Sequence, residues 1–138
     1  MRGGRTFVDT NVFLYTVDSS DAHKQYVARE LVADICLNGS GYVSSQILKE
    51  YGSNLVRKFG RTPAQAAVLC SSLSDFAVVS EGLPELLDTL RIMTVASISF
   101  WDACIVAAAR SAGCSVLLTE DLSHGQVIEG VRIRNPFV

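Results

Sequence analysis

The stretch Phe7-Val8-Asp9-Thr10-Asn11-Val12-Phe13-Leu14-Tyr15 sets one acid between two apolar runs near the start of the chain. A short apolar run, a small polar break and a second apolar run read as a buried strand turning into a helix. Asp9 then stands at the carboxyl end of that strand, where open α/β sheets gather their ligands and reactive groups. Asp9, Thr10 and Asn11 are also all good helix N-caps, so the stretch alone is compatible with a site or with a simple cap. What separates the two is whether further acids fall at comparable strand and helix ends.

The rest of the chain alternates in the same way. The pattern predicts strands at Thr6–Val8, Gly41–Ser44, Phe76–Val79, Val116–Leu118 and Val131–Ile133. Between them it predicts helices over Val12–Thr16, Ala22–Leu37, Ser44 or Ser45 to Phe59, and Pro63 to about Leu73. A further helix opens at Pro84 and carries Leu83, Leu86, Leu87, Leu90 and Met93, and another spans roughly Phe100–Ala112. Asn38-Gly39 and Gly113 are helix stops, and Thr62-Pro63 is a helix start. Gly52, costly inside a helix, suggests close packing against another backbone. Leu122–Gln126 reads as a turn or short helix. Strands alternating with helices imply a parallel sheet covered on both faces. The expectation is one α/β domain over residues 5–138 with about five short strands, after a loose tail at residues 1–4.

Composition narrows the classes. The chain has 138 residues, 49% of them apolar, and a mean hydropathy of +0.28, which suits one domain with a real core. No apolar run approaches the roughly 20 residues that span a bilayer, and the start lacks the apolar segment of a signal peptide. A cytoplasmic protein without a membrane partner is expected. The cysteines at 36, 70, 104 and 114 form no C-x-x-C pair and lie far from His23 and His124, which argues against zinc and against a disulfide framework. A net charge of −2 argues against broad coating of nucleic acid. It leaves room for a nuclease whose acids are screened by metal. Arg57, Lys58 and Arg61 cluster, and Arg132 and Arg134 alternate; each group reads as a solvated face or strand edge, or as a contact for phosphate or an acidic partner.

Three more acids answer the question posed by Asp9. Asp102 lies three residues after Ser99, a capping-box spacing, yet it also leads an almost wholly apolar helix, Ala103 to Ala109, and has no basic neighbour in sequence. An acid entering an interior needs a partner. Asp121 follows the strand Val116–Leu118 by the same kind of turn as Asp9. Glu120 competes with it, but alternation sends Thr119 and Asp121 one way and Glu120 the other. Glu50 is the plainest of the four, an ordinary helix residue set beside Ile47 and Tyr51. Carboxylates gathered at one pole of a sheet repel unless cations neutralise them. Oxygen ligands without Cys or His select hard ions, Mg²⁺ or Mn²⁺. Such ions activate water for in-line attack on a phosphodiester.

Val8-Asp9-Thr10-Asn11, Ser45-Gln46-Ile47-Leu48-Lys49-Glu50, Trp101-Asp102-Ala103 with its Ala-rich helix, Leu118-Thr119-Glu120-Asp121-Leu122 and the closing Asn135-Pro136-Phe137 occur in that order. Together they resemble a PIN-domain ribonuclease, and among these the VapC-type toxins of toxin–antitoxin pairs. The resemblance implies a Mg²⁺- or Mn²⁺-dependent endoribonuclease with Asp9, Glu50, Asp102 and Asp121 as its catalytic and metal-binding acids. It implies that Asn11 and Thr119 support that site. It further implies cleavage of tRNA, rRNA or mRNA to 5′-phosphate and 3′-hydroxyl ends, inhibition of translation and growth, a homodimer, and an antitoxin covering the acidic groove. Glu120 stays a rival for the fourth position. Other readings are a PIN-type processing nuclease without an antitoxin, an aspartyl-phosphate phosphotransferase or phosphatase with Asp9 as nucleophile, and a non-catalytic binding module. The phosphotransferase reading wants an acid at position 11 and a late lysine, where this chain has Asn11 and no lysine after Lys58.

Overall fold

Three residues suffice for the first strand, β1 (Thr6–Val8), because all three are buried. A strand covered on both faces needs no polar alternation. The computed structural model describes residues 4–138; residues 1–3 of the expected tail lie outside the described residues. After β1 come α1 (Thr10–Tyr15), α2 (Ala22–Asn38), β2 (Gly41–Ser44), α3 (Ser45–Arg57), α4 (Pro63–Ser71), β3 (Ala77–Val79), α5 (Leu83–Ala96), α6 (Phe100–Ser111), β4 (Val116–Leu118), β5 (Val127–Ile128) and β6 (Val131–Arg134). The sheet order is β3-β2-β1-β4-β6-β5. Every pairing is parallel except the antiparallel β5–β6 edge.

The sheet therefore has six strands where about five are expected. The extra strand is a two-residue hairpin arm. Glu129 and Gly130 both take positive φ, 51° and 85°, the signature of a type I′ turn, which matches strand twist. Two residues are too few to show a period, so the pattern is silent there. Leu122–Gln126 forms bends and turns, with no helix.

Local chemistry sets the helix ends. Asp21, Ser44, Thr62 and Ser99 cap α2, α3, α4 and α6, each accepting from a backbone N–H of the first turn. Thr62 and Gln65 complete a reciprocal capping box, with Pro63 at the first helical position. Gly39 closes α2 in the left-handed region at φ 64°, a conformation that costs glycine nothing.

α6 is the central support. Ala103 to Ala109 are all buried, and the helix packs on β2, β4, β6 and α5. Small side chains let it lie close to the sheet. Phe13 anchors α1, its ring edge-on to Phe76 at 5.2 Å and tilted on Tyr51 at 5.8 Å. α5 differs from the other helices. It buries Thr89 and Ile92 but leaves Leu83, Leu86, Leu87 and Leu90 between 42% and 66% exposed. Among the described residues no single helix is long and apolar enough to cross a membrane.

Close packing against another backbone is expected at Gly52 but not found there; the tight site is Gly41, and its neighbours are side chains. A Cβ at Gly52 would meet only Cys70 Sγ at 3.7 Å, whereas one at Gly41 would overlap the Phe76 ring and come 2.6 Å from Ile35 Cγ2. Gly41→Ala should therefore destabilise the protein by about 1–3 kcal/mol, the usual cost of overpacking. Urea unfolding checks it: an unchanged midpoint would mean that Phe76 and Ile35 have room to move.

Candidate active site

β1 connects to β2 on one side and lies against β4 on the other, so the chain reverses direction of travel across the sheet between β1 and β4. Such a switch point opens a crevice at the carboxyl ends of the two strands. The register Val8↔Leu118 puts the next residues, Asp9 and Thr119, side by side there. The Asp9 N–H extends the ladder by donating to the Leu118 carbonyl at 3.0 Å.

Asp9 is 4% exposed. Its carboxylate accepts from the Thr10 N–H at 2.7 Å, from the Thr119 hydroxyl at 2.8 Å and from Asn11 Nδ2 at 3.4 Å. Asn11 Nδ2 also reaches Asp121 Oδ2 at 3.1 Å, which ties the two acids together. The Asp121 N–H donates to Thr119 Oγ1 at 3.1 Å. Glu50, one turn and a half into α3, accepts from the Thr10 hydroxyl at 2.7 Å and from Gln46 Nε2 at 3.4 Å. Asp102 enters from the first turn of α6, where its N–H donates to Ser99 Oγ at 3.3 Å.

All four acids line one cavity of about 240 Å³, with Asn11, Thr10, Gln46 and Lys58 also in its wall. Glu120 is elsewhere: it accepts from Tyr15 Oη at 2.6 Å and pairs with Lys24 at 3.0 Å. The two neighbours thus face different ways, although the chain already bends at Glu120 and Asp121 beyond the end of β4. Thr119 sits beneath the cavity, 1% exposed.

The electrostatics are unbalanced. Burial pushes the Asp9 carboxyl up to about 6, and the charges of Asp121 and Glu50 add to the effect, against the lowering by its hydrogen bonds to Thr119 and Thr10. Asp121 is also raised, by burial first and then by the charge of Asp102. Among the described residues none of the four acids forms an ion pair. Asn11 Oδ1 is buried with no hydrogen-bond partner.

These features fit a hard divalent cation: oxygen donors, uncompensated negative charge and an orphaned buried oxygen. Among the described residues, however, no three Asp, Glu, His or Cys side chains converge tightly enough to hold an ion as they stand. Three of the four acids are instead held by neutral donors, Glu50 by Thr10, Asp9 by Thr119 and Thr10, and Asp121 by Asn11.

Thr10 is the residue that local sequence reasoning misses. It reads as a cap, and its bond to a glutamate 40 positions away has no local signature. Gln46 is missed for the same reason, whereas Lys58, of the cluster Arg57, Lys58 and Arg61 that reads as a solvated face or a phosphate contact, does lie on the cavity wall.

Residues 6–128 match the family model of the PIN domain. A comparison with curated proteins gives no significant match. Among solved structures, a toxin–antitoxin complex from Klebsiella pneumoniae aligns with a TM-score of 0.70 at 18% identity, covering 95% of this chain and 97% of that one. DNA-bound VapBC from Salmonella typhimurium aligns at 0.69 and 22% identity, covering 96% and 98%. VapC20 of Mycobacterium tuberculosis, a toxin that cleaves the sarcin–ricin loop, aligns at 0.63 and 21% identity, covering 81% and 86%. At these identities the likeness is one of fold.

The raised Asp9 carboxyl predicts a pH dependence in the metal-free protein. Its folded pKa of about 6 lies above the ordinary 3.8, so between those values the folded state binds the proton that the unfolded state has lost. Stability then falls as pH rises through this window, by up to about 3 kcal/mol from this group. With chelator present, Tm should be higher at pH 4.5 than at pH 7, and Asp9→Asn should shrink the difference. A native Tm that climbs across the window as steeply as that of the variant would refute the assignment.

Proposed function

The chain belongs to the PIN domain family, and on that premise we propose that it is a Mg²⁺- or Mn²⁺-dependent endoribonuclease, the toxin of a toxin–antitoxin pair. One observation carries the chemistry. Four carboxylates from four separate segments line a single cavity at the carboxyl ends of β1 and β4, with no cation paired to any of them among the described residues. PIN domain nucleases generally use divalent ions, and the donor set suits one. Asp9, Glu50, Asp102 and Asp121 are the residues that would hold it. With an ion bound, the site has the means to activate water and to offset the charge that grows on a phosphodiester during in-line attack.

The chain's own residues supply the rest. Thr119 and the Thr10 N–H hold the Asp9 carboxylate in one orientation. Asn11 sets Asp121 relative to Asp9, and the Thr10 hydroxyl sets Glu50. Orientation of this kind is what lets a carboxylate act without first reorganising. Lys58, on the cavity wall, is placed to draw in an RNA phosphate that the acids would otherwise repel.

The toxin reading is supported by the similar structures, two of which are toxin–antitoxin assemblies and one a toxin that cleaves the sarcin–ricin loop. A cognate antitoxin is the partner it calls for. The exposed leucines of α5 form an apolar face of the sort that marks protein contacts, and they support a homodimer built on that helix.

Purified protein should cleave structured RNA only with Mg²⁺ or Mn²⁺, stop on chelation, and lose at least about 100-fold in rate in Asp9→Asn, as expected for a lost electrostatic group of the site. Full cleavage by that variant would remove the mechanism. Thr10→Val should slow cleavage while leaving the fold intact by circular dichroism. Expression without a partner should arrest growth; harmless expression of active enzyme would favour the processing nuclease. Light scattering should give about twice the 14.9 kDa chain mass, and Leu87→Asp with Leu90→Asp should return it to one; a native protein that is already monomeric would end the dimer reading.

A further inference from the structure

Trp101 is 62% exposed, an unusual place for the largest side chain of the sequence. Its indole stands at right angles to Phe100, with ring centroids 4.9 Å apart, so one edge contact sets the plane of the ring. Beside it opens a cavity of about 500 Å³ lined by Ser45, Gln46, Lys49, Glu50, Glu81 and Trp101. Glu50, Gln46 and Trp101 belong to the wall of the acidic cavity as well, so the two spaces adjoin. Glu81 Oε1 is buried and has no hydrogen-bond partner. The carboxylate accepts hydrogen bonds and offers none, and a buried acceptor without a donor is costly.

We propose that this cavity receives one guanine base of single-stranded RNA, stacked on Trp101 and read by Glu81, next to the phosphate that is cut. The proposal rests on the ribonuclease reading above. Unpaired bases are recognised by stacking on aromatic rings and by hydrogen bonds to their edges. Guanine suits an acceptor-only partner because its N1–H and N2–H₂ lie side by side, two donors for two carboxylate oxygens. Adenine and cytosine present one amino group next to a ring acceptor, which a carboxylate repels. Uracil presents one imide N–H between two carbonyls. Lys49, at the cavity wall, offers a cation to the adjoining phosphate. Trp101 and Glu81 are thus specificity-determining residues, and the acids of the neighbouring cavity do the chemistry.

Trp101 is the only tryptophan in the chain, so the protein's indole fluorescence comes from the wall this cavity shares with the acidic one. In chelator, where no strand is cut, the pentamers UUGUU, UUAUU, UUCUU and UUUUU are titrated against the full chain. UUGUU should quench the indole and saturate at a concentration about tenfold lower than the others. Glu81→Gln should reduce that preference to less than about threefold while quenching persists at saturation. Trp101→Ala should weaken all four strands about tenfold, read by anisotropy of labelled RNA, and Trp101→Phe should recover most of the loss. Equal affinity for the four strands, a guanine preference that survives Glu81→Gln, or bound RNA without quenching would each overturn the proposal. So would quenching by an apolar peptide and by no RNA, which would hand the cavity to a protein segment. Guanine-selective quenching in a protein that cuts no RNA would instead sink the nuclease reading and leave the pocket standing.

Discussion

The parallel pairing of β1 with β4 is the constraint from which the site follows. It brings Asp9 and Thr119, 110 positions apart, within a hydrogen bond of 2.8 Å at a depth where Asp9 is almost sealed from water. Burying a carboxylate is unfavourable unless donors meet it. The Thr119 hydroxyl and the Thr10 N–H meet it in part, and the remaining deficit appears as a carboxyl held near 6. A site that leaves this deficit uncorrected is prepared for a positive charge from outside the chain. The same pairing orders β6 beyond β4, so the sheet continues past the crevice and supports it from behind.

Asp121 follows β4 directly, and the remaining two acids arrive by different routes. Glu50 is delivered by α3, which starts directly from β2 through the Ser44 cap. Asp102 is delivered by α6, which follows α5 across a 117° bend and not a strand. The apolar body of α6 is clamped against the sheet, so its polar first turn projects toward the crevice. One helix therefore serves as structural core along most of its length and as wall of the acidic cavity at its start. Trp101, the residue before Asp102, is carried to the surface by the same turn.

Hydrogen bonds between neutral and charged groups organise the cavity. Thr10 reaches Glu50, Asn11 reaches both Asp9 and Asp121, and Thr119 accepts from one backbone while donating to Asp9. These bonds keep like charges apart while each acid still faces the same space. On the opposite account, Glu120 is withdrawn into a pair with Lys24 and Tyr15. Its partners come from α1 and α2, so two adjacent acids serve two unrelated purposes.

The residues alone determine the alternation of strands and helices, most of the caps, and the positions of the acids at element ends, because all of these are set by neighbours within a few residues. Apolar runs make β1 and β4 fully buried, Thr62-Pro63 and Gly39 punctuate the helices, and a polar break after each of the two strands places Asp9 and Asp121. Only the tertiary structure decides that β5 exists, since two residues and a turn with two positive φ values carry no period. Only it decides that close packing falls at Gly41 and not Gly52, that Thr10 holds Glu50, and that Trp101 and Glu81 share a cavity. Each of those depends on contacts between segments far apart in the chain, and such contacts are fixed by strand order and register, which no local pattern encodes.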